Sequence, residues 1–271
     1  LATVMAPSIQ TTVLAAIMLA MWARSGSFVN MVADRLPARQ RLTILHPSCN
    51  ACRRPRLKLD LFPILSCLWS RRKCKHCTAP ISLRVFTVEI IIPLLFTVTY
   101  LQHGISIESI LISTMIALLI TVAVIDLEHR MIPNRILLPS AATLLILSPF
   151  WNELGLPRTI LGDSGFVASF INSLLSGTGS MLTFLAISML RPHSMGGGDI
   201  KFAGLIGLLL GFPGIFLAVA SAFFMGGVVA ITLLTFWRKS YKDLLAFGPF
   251  LSSGAIIVLL INIDATSLVI P

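Results

Sequence analysis

The sequence predicts an all-α polytopic membrane protein, with about eight transmembrane helices and one small polar loop domain, as expected if most of the chain lies in lipid. Three observations carry this. Of 271 residues, 56% are hydrophobic and only 12% charged, whereas a soluble domain carries about 25% charged residues. The apolar runs reach the roughly 20 residues that a bilayer span needs. The basic residues cluster instead of scattering, as they do when they mark one side of a membrane. The runs are too long and too continuously apolar for barrel strands, so helices are the spanning element.

Each element follows from the order of apolar runs and breakers. A first run, about residues 9–32, shows no cleavage-site pattern and reads as a retained span. Residues 34–84 form the one sizeable polar segment. Twelve of the 21 Lys and Arg residues fall in it, so the positive-inside rule makes it cytoplasmic and places it against anionic lipid headgroups. Further spans are expected at about 85–101, 108–125, 136–151 and 166–190. The continuous apolar stretch 200–237 divides at Gly211–Gly214, and a last span covers 247–263. Pro133 and Asn134 suit a turn between the third and fourth spans. Arg130, Arg135, Arg191, Lys201, Arg238, Lys239 and Lys242 then all land inside, and Arg158 alone lands outside. The organisation is therefore a first helix (1–33), a cytoplasmic loop domain (34–84) and a multi-helix membrane domain (85–271).

The formal net charge of +10 does not indicate nucleic-acid binding, because no aromatic residues interleave the charges as a stacking platform requires.

Two carboxylates sit at the inner ends of spans. Asp126 closes the third, and Asp199 opens the sixth directly after Gly196-Gly197-Gly198. An ionisable group costs roughly 2.5 to 3.5 kcal/mol at the centre of a span, less near its end, so each invites a functional reading. Two facing carboxylates do not ionise together easily. One keeps its proton as acid while the other, as base, activates a water against a peptide carbonyl. Glycines before Asp199 would let a substrate backbone approach and let the turn adopt positive φ. The bland alternatives are Asp199 as a helix N-cap, and Asp126 as an interfacial carboxylate paired with His129, Arg130 or Arg135. Glu128 competes with Asp126, but two residues along a helix face different ways, so only one meets Asp199. Asp126 is favoured because it directly ends the apolar run 121–125.

The loop domain carries Cys49-Asn50-Ala51-Cys52 and Cys74-Lys75-His76-Cys77. Cys49, Cys52, Cys74 and Cys77 suit a tetrahedral structural zinc, which supplies folding energy where a core is missing. A cytoplasmic position argues against disulfides. Cys67 is expected to be unligated. Glu89, about a turn inside the second span, is either paired with Arg24 or Arg84 or placed near the active site. His103, on an outer turn, is expected to be solvated.

These blocks resemble the type IV prepilin peptidase family of G-x-G-D membrane proteases. Ser25-Gly26-Ser27-Phe28-Val29-Asn30 with Arg35-Leu36-Pro37 is similar to the family's first-span signature, which leads into a loop with paired C-x-x-C motifs. Ala79-Pro80-Ile81-Ser82 to Glu89, Ile125-Asp126-Leu127-Glu128-His129 with Ile132-Pro133-Asn134, Gly196 to Lys201, and Phe247-Gly248-Pro249-Phe250-Leu251 follow in the family's order. The resemblance implies that Asp126 and Asp199 are the catalytic pair, with Gly196, Gly197, Gly198, Glu128, Lys201 and Glu89 in support. It implies cleavage of a short basic leader, after a Gly and before a hydrophobic residue, in type IV prepilins or type II secretion pseudopilins. The site would face the cytoplasm from the bacterial inner membrane. Many members also methylate the new N-terminus from S-adenosylmethionine, an activity usually linked to the first loop. Members commonly carry a Gly two residues before the third cysteine, where this chain has Arg72.

Two other readings remain at this level. A presenilin-like or signal-peptide-peptidase-like G-x-G-D protease would carry a Tyr-Asp pair and a Pro-Ala-Leu block, where this chain has Ile125-Asp126 and Gly248-Pro249-Phe250. A metal or ion transporter would place carboxylates and cysteines along a pathway, yet all five cysteines lie outside the expected spans. H-E-x-x-H, the mark of a zinc metalloprotease, is absent.

Overall fold

A computed structural model describes residues 25–38, 77, 79, 82–156, 158, 165–190, 195–236 and 246–261. The described residues hold helices and turns and no strand. We number the helices α1 (residues 25–35), α2 (Leu83–His103), α3 (Ile107–His129), α4 (Asn134–Leu147), α5 (Phe166–Leu190), α6 (Gly197–Leu210), α7 (Gly214–Phe236) and α8 (Gly248–Ile261). Four of them, α2, α3, α5 and α7, are long and apolar enough to cross a membrane. The chain divides into two compact units, Leu1–Thr121 and Val122–Pro271.

In the first unit α1 lies antiparallel on α2, and the residues responsible recur at helical spacing. The Ser27 hydroxyl donates to Glu89 Oε1 at 2.7 Å, Asn30 Nδ2 donates to the Val85 carbonyl at 3.1 Å, and Arg84 pairs with Asp34 at 2.5 Å. A Cβ on Gly26 would lie 2.8 Å from Glu89 Cα, so the backbones meet only because that position is glycine. The small polar signature of the first span is thus a helix-packing face. Glu89 is buried in it, with Ser27 as a partner, while Arg84 reaches Asp34. Arg24 lies outside the described residues. His103 differs from expectation. Its Nδ1 sits 2.9 Å from Glu108 Oε1 across the turn that Gly104 (φ +64) makes between α2 and α3, because that tight turn returns the first residues of α3 to the end of α2.

In the second unit α6 is central, packing on α4, α5, α7 and α8. Phe202, Ala203 and Ile206 are completely buried. Small residues permit the closeness: a Cβ on Gly207 would stand 2.4 Å from the Ser176 carbonyl of α5, and one on Gly254 of α8 would stand 2.3 Å from the Ala218 carbonyl of α7. At 14 residues, α6 rises about 21 Å, short of the roughly 30 Å hydrocarbon layer. The sixth expected span is therefore a shorter helix. The N-cap at Gly196 that starts it and the Gly211 (φ +66) to Pro213 turn that ends it leave room for no more.

The C-terminal end of α6 accounts for Arg158, the basic residue expected on the outer side. Arg158 is buried. It donates to the Leu208 carbonyl at 2.9 Å and to the Leu209 carbonyl and Ser173 Oγ, and it lies 4.7 Å over the Trp151 ring. It satisfies last-turn carbonyls and complements the negative end of the helix dipole. Burial pulls its guanidinium down to about 9, so it stays charged at neutral pH. Asn172 secures the adjoining turn, accepting from the Phe212 N–H at 2.8 Å and donating to its carbonyl at 3.1 Å.

The loop domain falls almost wholly outside the described residues. Of the four cysteines expected to bind zinc, Cys77 alone is described.

Candidate active site

Asp126 does not close its helix. α3 continues one turn further to His129, where the Arg130 N–H bonds the Asp126 carbonyl at 2.9 Å and Arg130 itself turns to φ +51. Helical hydrogen bonding carries past the apolar run because Leu127, Glu128 and His129 are all compatible with a helix, and it ends where Arg130 takes positive φ, ahead of Pro133. The extra turn separates the competing carboxylates as helical geometry requires. Asp126 is 5% exposed and faces the interior of the unit, whereas Glu128 is exposed.

The Asp126 carboxylate accepts a hydrogen bond through Oδ2 from the Gly248 backbone N–H at 2.9 Å, in a buried position. That N–H belongs to the first residue of α8, where the donors have no partner within their own helix. His129, Arg130 and Arg135, the expected ion partners of an interfacial carboxylate, are all exposed.

Asp199 is half-buried at the third position of α6. It is not the N-cap. Gly196 occupies that place, and Asp199 Oδ2 reaches back to accept the Gly196 N–H at 3.3 Å, the acidic half of a capping box. The turn that follows Asp126 brings Ile132 against Gly198, so the two carboxylates stand on neighbouring elements of one unit.

The glycine run does not use left-handed backbone. Gly196 has φ −74 and ψ 146, and none of Gly196, Gly197 and Gly198 has positive φ. Space is what these residues provide. A Cβ on Gly198 would lie 3.1 Å from Ile132 Cβ, whereas one on Gly197 would meet nothing within 4 Å. The turn from Arg130 to Asn134 therefore rests on the start of α6, and Lys201 Nζ donates to Asn134 Oδ1 at 3.3 Å. Lys201 is exposed, so its observed role is to join two helix starts. Glu89 belongs to the first unit, where it is buried beside Ser27.

Sequence reasoning did not single out Gly248 as part of the site. The signal available was Gly248-Pro249 itself, since proline favours the first turn of a helix and a helix start presents N–H groups to an anion. Nothing in the local sequence says which anion.

Two carboxylates of one unit, each accepting a backbone N–H at a helix start, are thus mounted on the apolar helices of a membrane protein. Comparison with known proteins gives the particular lineage. The chain belongs to the type IV leader peptidase family: residues 113–231 match that family, and residues 21–103 match the bacterial peptidase A24 N-terminal domain. It is 31% identical over 242 residues to a prepilin leader peptidase/N-methyltransferase of Bacillus subtilis (strain 168), covering 87% of this chain and 89% of that protein. Proteins of the same description from Aeromonas hydrophila and Pseudomonas putida are each 26% identical, over 264 and 262 residues, covering 87% of this chain and 86% of each relative. No solved structure matches the chain. The peptidase match contains both Asp126 and Asp199, and the N-terminal match contains all four paired cysteines.

Proposed function

We propose that this chain removes the basic leader of type IV prepilins or type II secretion pseudopilins at the cytoplasmic face of the bacterial inner membrane, through Asp126 and Asp199. What supports this is that two acidic side chains far apart in sequence lie in one compact unit and within the peptidase match, each accepting a backbone N–H at a helix start. The ionised carboxylate takes a proton from a water whose oxygen attacks the scissile carbonyl carbon. The protonated carboxyl then hands its proton to the departing nitrogen, the C–N bond breaks, and the pair is left with one proton as before.

The clustered basic residues support the orientation. They put the loop domain and both aspartates on the cytoplasmic side, where a positively charged leader followed by a membrane-retained apolar helix presents its cleavage point. Exposed Glu128 is placed to attract that leader, and Glu128→Gln should raise KM more than it lowers kcat. The loop domain's basic residues bind anionic lipid, with no nucleic-acid role. Cys49, Cys52, Cys74 and Cys77 form a donor set whose softness and count fit zinc, held as a structural ion. Metal analysis of the purified protein should find about one zinc per chain, lost on replacing the cysteines with serine. Relatives described as N-methyltransferases support a second activity, methylation of the new N-terminus by S-adenosylmethionine.

The test co-expresses a tagged prepilin with the wild type, Asp126→Asn or Asp199→Asn. Leader removal by the wild type and its loss in both variants is the expected result. Full processing by either variant excludes that residue from the pair. The mass of the mature N-terminus reports methylation separately.

A further inference from the structure

We propose that Gly248 is a positioning residue of the carboxylate pair: the N-terminus of α8, and not Asp126's own helix, sets the orientation of the Asp126 carboxylate. The proposal rests on the peptidase reading above.

Three independent features of Gly248 converge on one side chain. Its N–H donates to Oδ2 at 2.9 Å from a site 122 residues away in sequence. A Cβ built on it would lie 2.6 Å from Oδ2, 3.0 Å from Cγ and 3.2 Å from Cβ of Asp126, so the three nearest neighbours of the missing methyl all belong to the same aspartate. Gly248 itself is buried and opens α8, so its N–H has no carbonyl within the helix to bind, and the positive end of the α8 dipole faces the acid. Of the two oxygens of Asp126, one is thereby committed, which fixes the plane of the carboxylate and leaves the other for a water.

The donor is also held rigidly. Leu251 and Ala255 of α8 are completely buried, and Gly254 sits directly on the α7 backbone. One residue before the donor, the Phe247 ring packs 5.2 Å from Phe223 of α7 and 6.1 Å from Phe184 of α5. A hydrogen bond from so fixed an element restrains a side chain more than one from a loop does. The charged groups on the neighbouring elements are Asp199 and Lys201 of α6, Glu128, His129 and Arg130 at the end of α3 and after it, and Arg135 of α4; α8 itself carries no titratable side chain.

The experiment measures full-length enzyme in detergent with a purified prepilin. Gly248→Ala should lower kcat about 100-fold, the size of effect produced by a misplacement of about 1 Å, with KM within about twofold of the wild type. A double-mutant cycle with Asp126→Ala, read as melting temperature, tests the contact without any use of activity. Gly248→Ala should lower the melting temperature strongly when Asp126 is present and much less when Asp126 is alanine, since the contacts at 2.6 and 3.0 Å are then gone and only the one to Cβ at 3.2 Å remains. A Gly248→Ala protein that fails to fold while the double variant folds is the same coupling at its extreme. Wild-type kcat in Gly248→Ala, additive melting shifts, or failure of both variants to fold each overturn the proposal. A wild type that leaves prepilin uncut overturns the peptidase reading first, and the positioning role with it, a result distinct from any of these.

Discussion

The two aspartates are held in opposite ways. Asp199 takes its hydrogen bond from Gly196, three residues back on its own turn, at 3.3 Å and in an exposed position. Asp126 takes its own from Gly248, on another helix, at 2.9 Å and in a buried one. A bond within one turn forms as soon as the helix does, and solvent competes for it. A bond across 122 residues exists only once α3 and α8 have packed, and burial strengthens it. One half of the site is therefore a local motif, and the other is a product of assembly.

Chemistry should be indifferent to that difference, and this gives the largest expected effect. Asp126→Asn and Asp199→Asn should each reduce cleavage at least about 100-fold, as loss of an acid or base does, and the double variant should be little worse than either single one, because the pair acts as a unit. Single-turnover rates on one prepilin check this. A large residual rate in one variant alone would show that the two carboxylates do not share the work.

The next effect concerns the far end of the helix that bears Asp199. Arg158→Ala removes a buried cap from the Leu208 and Leu209 carbonyls and should cost about 2 to 4 kcal/mol, since those carbonyls are left without a donor and the packing on Trp151 is lost. Thermal unfolding in detergent reads it. An unchanged melting temperature would mean that α6 needs no anchor there.

Gly198→Ala presses on Ile132, 3.1 Å from the added Cβ, and should cost about 1 kcal/mol, at the low end for overpacking. In an Ile132→Gly background, which lacks the Cβ that the new methyl meets, the same substitution should cost much less. Persistence of the loss would trace it to the glycine's backbone and not to the contact.

Gly196→Pro gives the smallest effect. It deletes the N–H that Asp199 accepts, while φ −74 at that position already suits proline. An exposed bond of this kind is worth at most about 1 kcal/mol, so cleavage should stay within about fivefold of the wild type. Loss comparable to that of Asp199→Asn would break the contrast between the two halves, since the local bond would then matter as much as the buried one.

Much of the frame was legible. The α5 boundaries at 166 and 190 follow directly from the apolar run, and the break at Gly211 to Pro213 separates α6 from α7 as the breakers require. Asp126 was preferred over Glu128 from the position of the apolar run, and it is the buried member of the two. The failures share a cause. The extra turn of α3, the shortness of α6 and the extended backbone at Gly196 depend on how helix ends meet other elements, and an apolar count does not register that.

Composition and charge placement by themselves determined that this is a helical membrane protein, and the acidic residues after apolar or glycine runs determined where its catalytic pair is proposed. These properties follow from partitioning and local helix rules, which act on neighbours in the chain. Tertiary structure alone decided that Gly248 addresses Asp126, that Ile132 rests on Gly198, and that Arg158 is a buried cap. Each is a contact between residues 50 or more positions apart, and such a contact is specified by the packing of whole helices and by no segment of the row.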